Sequence, residues 1–366
     1  MKIRRIIIEM IMIPGIMIFS SSCKQGSDSR NETGKEAVQQ IEKRFFSDSS
    51  FWNQPIPAGA EIDPQSEHWI SLLKTEPTGN NFGINATKWT VPVYEVDSTT
   101  PRYDVGKYFL SREEKEHWMS ERKHFGHGPG FGKNVPIPEY ATPDPEQDAH
   151  FSVVDWQNRI AWDMWGLGKT PGGEWISRTG MKYSLDGDGT FEHIGFDIMD
   201  GESVHFHGPS RAAGVPAIAG LIMYDEVLSG KIRHKLSCAT RFNAKQEFVY
   251  PATWTDGFVT NGIPEGAVIQ LDPELDLEQF DLLPGEMAVA RALQEYGMVV
   301  VDGAGGSPIY AEGLWGHPGK SWDGILREWE GGINSIPLDH YSVLKVGKTV
   351  KKGDARWRSE DPGQIK

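Results

Sequence analysis

"HFSVVDWQNRIAWDMWGL", residues 150–167, carries the reading of the fold. "HFSVVDWQ" and "RIAWDMWGL" are short runs rich in β-branched and aromatic residues, and both read as strands. "EWISRTGMKYSL" and "HIGFDIM" follow at similar spacing, and "KWTVPVYEVD" precedes them. "KLSCATRF", "AVIQLD" and "MVVVDG" add strands toward the C-terminus. Helical patterns are fewer. Asp63 and Pro64 open one, "PAIAGLIMYDEVLSG" reads as a second stopped by Gly230, and "PGEMAVARALQEYG" as a third ended by Gly297. Short strands spaced by turn signals predict a mainly β protein, a β-sandwich or jelly-roll-like core with a few packed helices; the alternative is an α+β domain. No βαβ alternation persists, which argues against a parallel doubly wound sheet.

The chain has 366 residues, 38% hydrophobic and 24% charged, enough for a real core in one large domain. Its 41 Gly and 23 Pro favour turns over long helices. A formal charge of −14 argues against nucleic acid or an anionic membrane surface as partner.

The first 22 residues form a separate object. "MKIRR" is a basic start, "IIIEMIMIPGIMIF" an apolar run, and "SSSC" ends at Cys23. This is the pattern of a bacterial lipoprotein signal peptide over residues 1–22, with Cys23 taking the lipid; Ser20 departs from the aliphatic residue usual three places earlier. Residues 23–47 are polar and read as a flexible tether, residues 48–350 as one β-rich domain, and 351–366 as a tail. The expected location is therefore the cell envelope, secreted and held to a membrane through the N-terminal lipid only. Cys238 is the one other cysteine, so the mature chain has no internal disulfide to form, and "HKLSCAT" reads as core.

Candidate chemistry gathers around Asp, His and Trp. Asp148 and His150 stand at the start of a strand, Asp163 lies between two tryptophans in "AWDMW", Asp256 sits in "ATWTDG", and Asp302 ends "VVVDGAGG". An acid where an apolar strand runs into a flexible loop is held on one side and open to substrate on the other. On that placement Asp302 is expected to face the same cleft as Asp148 and His150. Each acid taken alone is more commonly a turn former or cap. The 13 Trp outnumber the 10 Tyr, and Trp165, Trp254 and Trp329 fall near these loops. Indoles stack on sugar faces, although core filling is their commoner use.

"HFHGPSRAAG", residues 205–214, would place His205 and His207 on one strand face about 7 Å apart. They could be half a metal site, a substrate-gripping surface or a solvated pair. Arg211, six residues after His205, would repel a metal and suits hydroxyls or a carboxylate, so no metal and no cofactor is expected. The glycine-rich "FGHGPGFGKNVPIP" lacks the ending of a phosphate loop, and no G-x-S-x-G occurs.

Several blocks, among them "FWNQPIPAGAEIDPQS", "SRAAGVPAIAGLIMYDEVLSGKIRHKL", "YPATWTDG", "IPEGAVIQLDPELDL" and "ARALQEYGMVVVDGAGG", together resemble a group of secreted bacterial proteins of unassigned function over about residues 51–345. The resemblance implies one extracellular module in the company of polysaccharide-handling proteins. The resulting expectation is a lipid-anchored enzyme that cleaves a glycan. A glycoside hydrolase would use Asp148, His150, Asp256 and Asp302 in catalysis, with His205, His207, Arg211, Asp163, Trp165 and Trp254 binding substrate. A polysaccharide lyase acting on a uronate, and a non-catalytic glycan-binding lipoprotein, are the alternatives.

Overall fold

The computed structural model describes residues 43–107, 127–128, 130–191, 196–199, 202–205 and 211–351. The strand Phe151–Asp155 is buried along its whole length, because both faces of its sheet are covered. Phe151 and Val153 pack into one apolar cluster and Val154 into another. The five-stranded sheet runs Thr179–Ser184, Ile160–Trp165, Phe151–Asp155, Val91–Glu95, Glu312–Gly313. Asp155 closes the turn of its central hairpin by accepting the Asn158 N–H at 2.9 Å, and Arg159 takes a positive φ of 54°. The register then pairs Phe151 with Met164 and Ser152 with Asp163.

A six-stranded sheet runs Gly83–Asn85, Pro308–Tyr310, Leu236–Ala239, Met298–Asp302, Val268–Leu271, Tyr341–Val343. Val299, Val301 and Tyr310 from this sheet share one buried cluster with Val93, Val154, Ala161 and Met181 from the other. The two sheets therefore meet across a common apolar layer, and the chain is mainly β. Both sheets mix parallel and antiparallel neighbours: Leu236–Ala239 runs parallel to Met298–Asp302, and Val91–Glu95 parallel to Phe151–Asp155. The outer face of the six-stranded sheet is covered in part by the helices Ser66–Leu73 and Pro284–Glu295, which bury Leu73, Val289 and Leu293 against Val300 and Ile269.

Pro284–Glu295 starts with Pro at its first position, has the Leu283 N–H satisfied by Glu286 at 2.8 Å, and stops before Gly297 at φ 72°. The helix expected over residues 216–230 is reduced to Tyr224–Leu228. Two interactions prevent its earlier half. The Ala217 N–H is taken by the Asp163 carboxylate at 2.6 Å, and Gly220 at φ 74° lies so close to Ser237 that a Cβ would meet its backbone N at 2.6 Å. The chain is also already packed inside the stretch read as tether: Phe46 is buried and Lys43 pairs with Glu95 at 2.6 Å. The signal segment, Cys23 and the charged stretch at residues 111–125 lie outside the described residues. No helix among the described residues is long and apolar enough to cross a membrane.

Candidate functional site

Where the two sheets end side by side, a cavity of about 510 Å3 is lined by Asp148, His150, Arg211, Asp302, Tyr310 and Trp329, with the stretch 78–89, which brings Thr78, Asn80, Asn85, Lys88 and Trp89, and the glycine loop 303–306 also in its wall. Four stretches of chain far apart in sequence supply its polar groups. Asp148 and His150 stand immediately before the strand Phe151–Asp155, and Asp302 ends Met298–Asp302. Arg211 enters from the connection between the sheets, where the Ala213 N–H bonds the Val301 carbonyl at 3.0 Å and fixes the turn.

Asp148 is held by the far end of the hairpin. Trp165 Nε1 donates to Asp148 Oδ1 at 3.1 Å, and the Gly166 N–H donates to the Asp148 carbonyl at 2.7 Å. His150 is buried, and its Nδ1 has no hydrogen-bond partner. Burial first, and the Arg211 charge second, hold its pKa well below the ordinary value, so the imidazole is neutral.

Arg211 is 2% exposed. Its guanidinium lies 3.8 Å from the centre of the Tyr310 ring, and none of its three nitrogens makes a hydrogen bond. The nearest carboxylate contact is Nη1 to Asp302 Oδ2 at 3.7 Å, an ion pair too long to be a hydrogen bond. Asp302 Oδ1 accepts the Gly303 N–H at 3.0 Å. Burial pushes the Asp302 pKa up to about 8; Arg211 opposes that rise, while Asp256 and Asp148 add to it.

Behind Asp302 lies a second acidic layer. A Cβ on Gly303 would sit 2.9 Å from Asp256 Oδ2, so only glycine lets that carboxylate approach the loop. Glu265 is fully buried, accepts from Asn243 Nδ2 at 3.0 Å, and is raised well above the usual carboxylate range by burial and then by Asp256. The same Asn243 nitrogen donates to the Asp302 carbonyl at 2.8 Å, which ties the two layers together.

Not every residue expected at the site reaches the cavity. Asp163 is wholly buried between the sheets, where Ser152 Oγ, Tyr183 Oη and the Ala217 N–H converge on its carboxylate. Trp165 serves Asp148 from behind, with Arg178 stacked over its ring at 4.3 Å. Trp254 packs against the interlayer cluster, and its N–H bonds the Ala213 carbonyl at 3.1 Å. Asp256 adjoins the site through Gly303 rather than lining it. His205 ends the strand Glu202–His205; its side chain, and all of His207, lie outside the described residues.

Tyr310, Asn85, Trp89 and Trp329 were not marked by spacing as a group. Trp329 Nε1 donates to Asn85 Oδ1 at 3.2 Å, and Asn85 Nδ2 donates to the Trp89 carbonyl at 3.2 Å. Gly83 makes room for the Trp329 indole, since a Cβ there would lie 2.3 Å from its ring.

A separate cavity of about 410 Å3 is lined by Phe45, Trp156, His234, Glu312 and His317 among others. Its charged rim is largely paired internally, Lys43 with Glu95, His234 with Glu226 and Lys320 with Asp225. Trp156 Nε1 and His317 Nε2 in that cavity also lack hydrogen-bond partners; the cavity at Arg211 differs in that its unpartnered donors include all three nitrogens of a buried guanidinium. Among the described residues no group of three or more His, Cys, Asp or Glu is placed to hold a metal ion. Comparison with protein-family models, curated proteins and solved structures returns no match.

Proposed function

We propose that the chain is a glycan-cleaving enzyme and that the cavity between the sheet ends is its active site. The observation that carries this reading is the convergence of Asp148 and Asp302, two carboxyl groups in unlike surroundings, on one aromatic-walled cavity. Hydrolysis of a glycosidic bond needs an acid that protonates the leaving oxygen and a carboxylate that activates water or attacks the sugar carbon. Asp302, pushed up to about 8, keeps its proton at neutral pH and takes the acid role. Asp148, held by Trp165, takes the other. Trp89 and Trp329 supply indoles for sugar stacking.

A lyase acting on a uronate is the second reading. The open guanidinium of Arg211 favours it, because such chemistry neutralises a carboxylate while a base removes the neighbouring proton. The resemblance to secreted bacterial proteins, and the lipoprotein pattern ending at Cys23, support a glycan substrate met at the cell envelope.

Incubating the purified protein with neutral and uronate polysaccharides tests the reading. New reducing ends lost in Asp302→Asn and Asp148→Asn are expected, and an absorbing unsaturated product would mark the lyase. Binding without cleavage would leave a glycan-binding lipoprotein. Fatty-acid labelling that marks the wild type and spares Cys23→Ser is expected for the anchor; equal labelling of both would remove it.

A further inference from the structure

We infer that the cavity seats a sugar that carries a carboxylate, a uronate, with that carboxylate against the edge of the Arg211 guanidinium. The inference rests on the glycan reading for the sugar and on Arg211 itself for the charge.

The Arg211 side chain is 1% exposed, yet Nε, Nη1 and Nη2 all lack hydrogen-bond partners. A guanidinium has five N–H donors in a planar fork, and burying it without acceptors is costly. Tyr310 covers one face of the plane at 3.8 Å, which satisfies none of the in-plane donors. Asp302 stands 3.7 Å away, outside hydrogen-bond reach. The group that completes an arginine fork is a planar oxyanion accepting two parallel N–H bonds.

The neighbours choose between oxyanions. Asp148 and Asp302 share the cavity with Arg211. Lys88 also lines the cavity but is exposed, so Arg211 is the buried cation there, and a dianionic phosphate would set two charges against it and beside these acids. A carboxylate brings one charge and matches the fork. The second orphan, His150 Nδ1, belongs to a neutral ring and suits a single hydroxyl bond beside the carboxylate. Trp89 and Trp329 both line the cavity, and the loop 303–306 has three glycines among its four residues, which permits close approach of a ring. Carboxylate, hydroxyl and apolar ring face together describe a uronic acid.

The test is direct binding to the full chain, read by calorimetry and by tryptophan fluorescence. The probes are sodium glucuronate and galacturonate, their methyl esters, glucose, galactose and inorganic phosphate. At least one uronate is expected to bind saturably, and its methyl ester and neutral sugar at least tenfold more weakly. Arg211→Lys, which keeps the charge and loses the fork, is expected to lower uronate affinity at least tenfold. The ester comparison uses unaltered protein, so it decides the matter even if the variant does not fold. Equal binding of acid, ester and neutral sugar overturns the inference, as does phosphate binding with no uronate binding, or no binding of either uronate. Uronate binding without cleavage of any polysaccharide keeps the inference and removes the enzymatic reading. Cleavage of neutral glycans without uronate binding does the reverse.

Discussion

Arg211 Nη1 stands 3.7 Å from Asp302 Oδ2, a separation at which the charges interact but no hydrogen bond forms. The contact is weaker than a fork pairing, and burial of Asp302 outweighs it, leaving the acid raised to about 8. Asp302 is therefore protonated at neutral pH and loses its proton as pH rises through that value. If it is the general acid, kcat/KM falls on the alkaline side near pH 8. Arg211 favours the ionised form, so Arg211→Gln moves that limb upward. Asp302→Asn abolishes the limb and lowers the rate by roughly 100- to 10,000-fold. A pH–rate profile flat through pH 9 in the wild type would remove Asp302 from the acid role.

Gly303 sets how near Asp256 comes. A methyl at Gly303 would meet the Asp256 carboxylate at 2.9 and 3.1 Å, so that exposed side chain must shift, against its hydrogen bond to Glu265. Gly303→Ala is accordingly expected to cost the fold about 1–3 kcal/mol, the usual range for overpacking. Its effect falls on Asp302: with Asp256 displaced, one cause of the raised pKa weakens, and the alkaline limb moves down. Urea unfolding and the pH–rate profile separate the two effects. A large loss of stability with an unmoved limb would contradict the argument.

Trp165 positions Asp148 without lining the cavity. Trp165→Phe keeps an aromatic ring under Arg178 and deletes the 3.1 Å bond from Nε1. A bond to a carboxylate contributes about 1.5–3 kcal/mol. We expect kcat/KM to fall roughly 10- to 100-fold, the rate equivalent of an energy of that size, and the unfolding free energy to fall by no more than the bond contributes, because the half-buried ring keeps its packing. Unaltered kinetics would show that Asp148 needs no such support.

Part of this site was legible in the sequence because strand ends are local signals. "VVVDG" announces Asp302 as the end of a buried run, and "DAHFSVVD" places Asp148 and His150 before another. Their meeting depends on sheet order, which periodicity does not encode. Asn85 reaches the cavity because Gly83–Asn85 pairs in parallel with Pro308–Tyr310, more than 200 residues away. Trp329 joins it through the space left at Gly83. Asp163 misled for a related reason. An acid between tryptophans resembles a sugar-binding motif, but strand alternation turns it to the interlayer face, away from Trp162 and Met164 in the outer cluster. The same carboxylate captures the Ala217 N–H, which is why an alanine- and leucine-rich segment fails to continue as a helix.

Asp163 gives the sharpest separation of fold from function. Burial raises its pKa to about 6, against the lowering effects of Ser152, Ala217, Tyr183 and Arg211. The folded state thus binds the proton more tightly than the unfolded state, whose value is 3.8. The protonated acid is accommodated below about pH 4, and stability is lost as pH rises from there through about 6. Above that range, holding the ionised group buried costs on the order of 3 kcal/mol. Asparagine has the same shape and no charge. Its oxygen can take the Tyr183 and Ala217 donors, and its amide can face Ser152, whose hydroxyl also accepts. Asp163→Asn is therefore expected to match the wild type near pH 4 and to gain on it progressively up to about pH 7, by up to roughly 3 kcal/mol. Asp163→Ala strands the Ala217 N–H and should lose about 2–4 kcal/mol near pH 4, where the wild-type acid is protonated. Because Asp163 does not line the cavity, Asp163→Asn should keep its kcat. Urea unfolding of wild type and both variants at pH 4, 5.5 and 7.5 checks the trend. An Asn variant whose stability relative to wild type does not rise with pH would mean that Asp163 is not held protonated by burial.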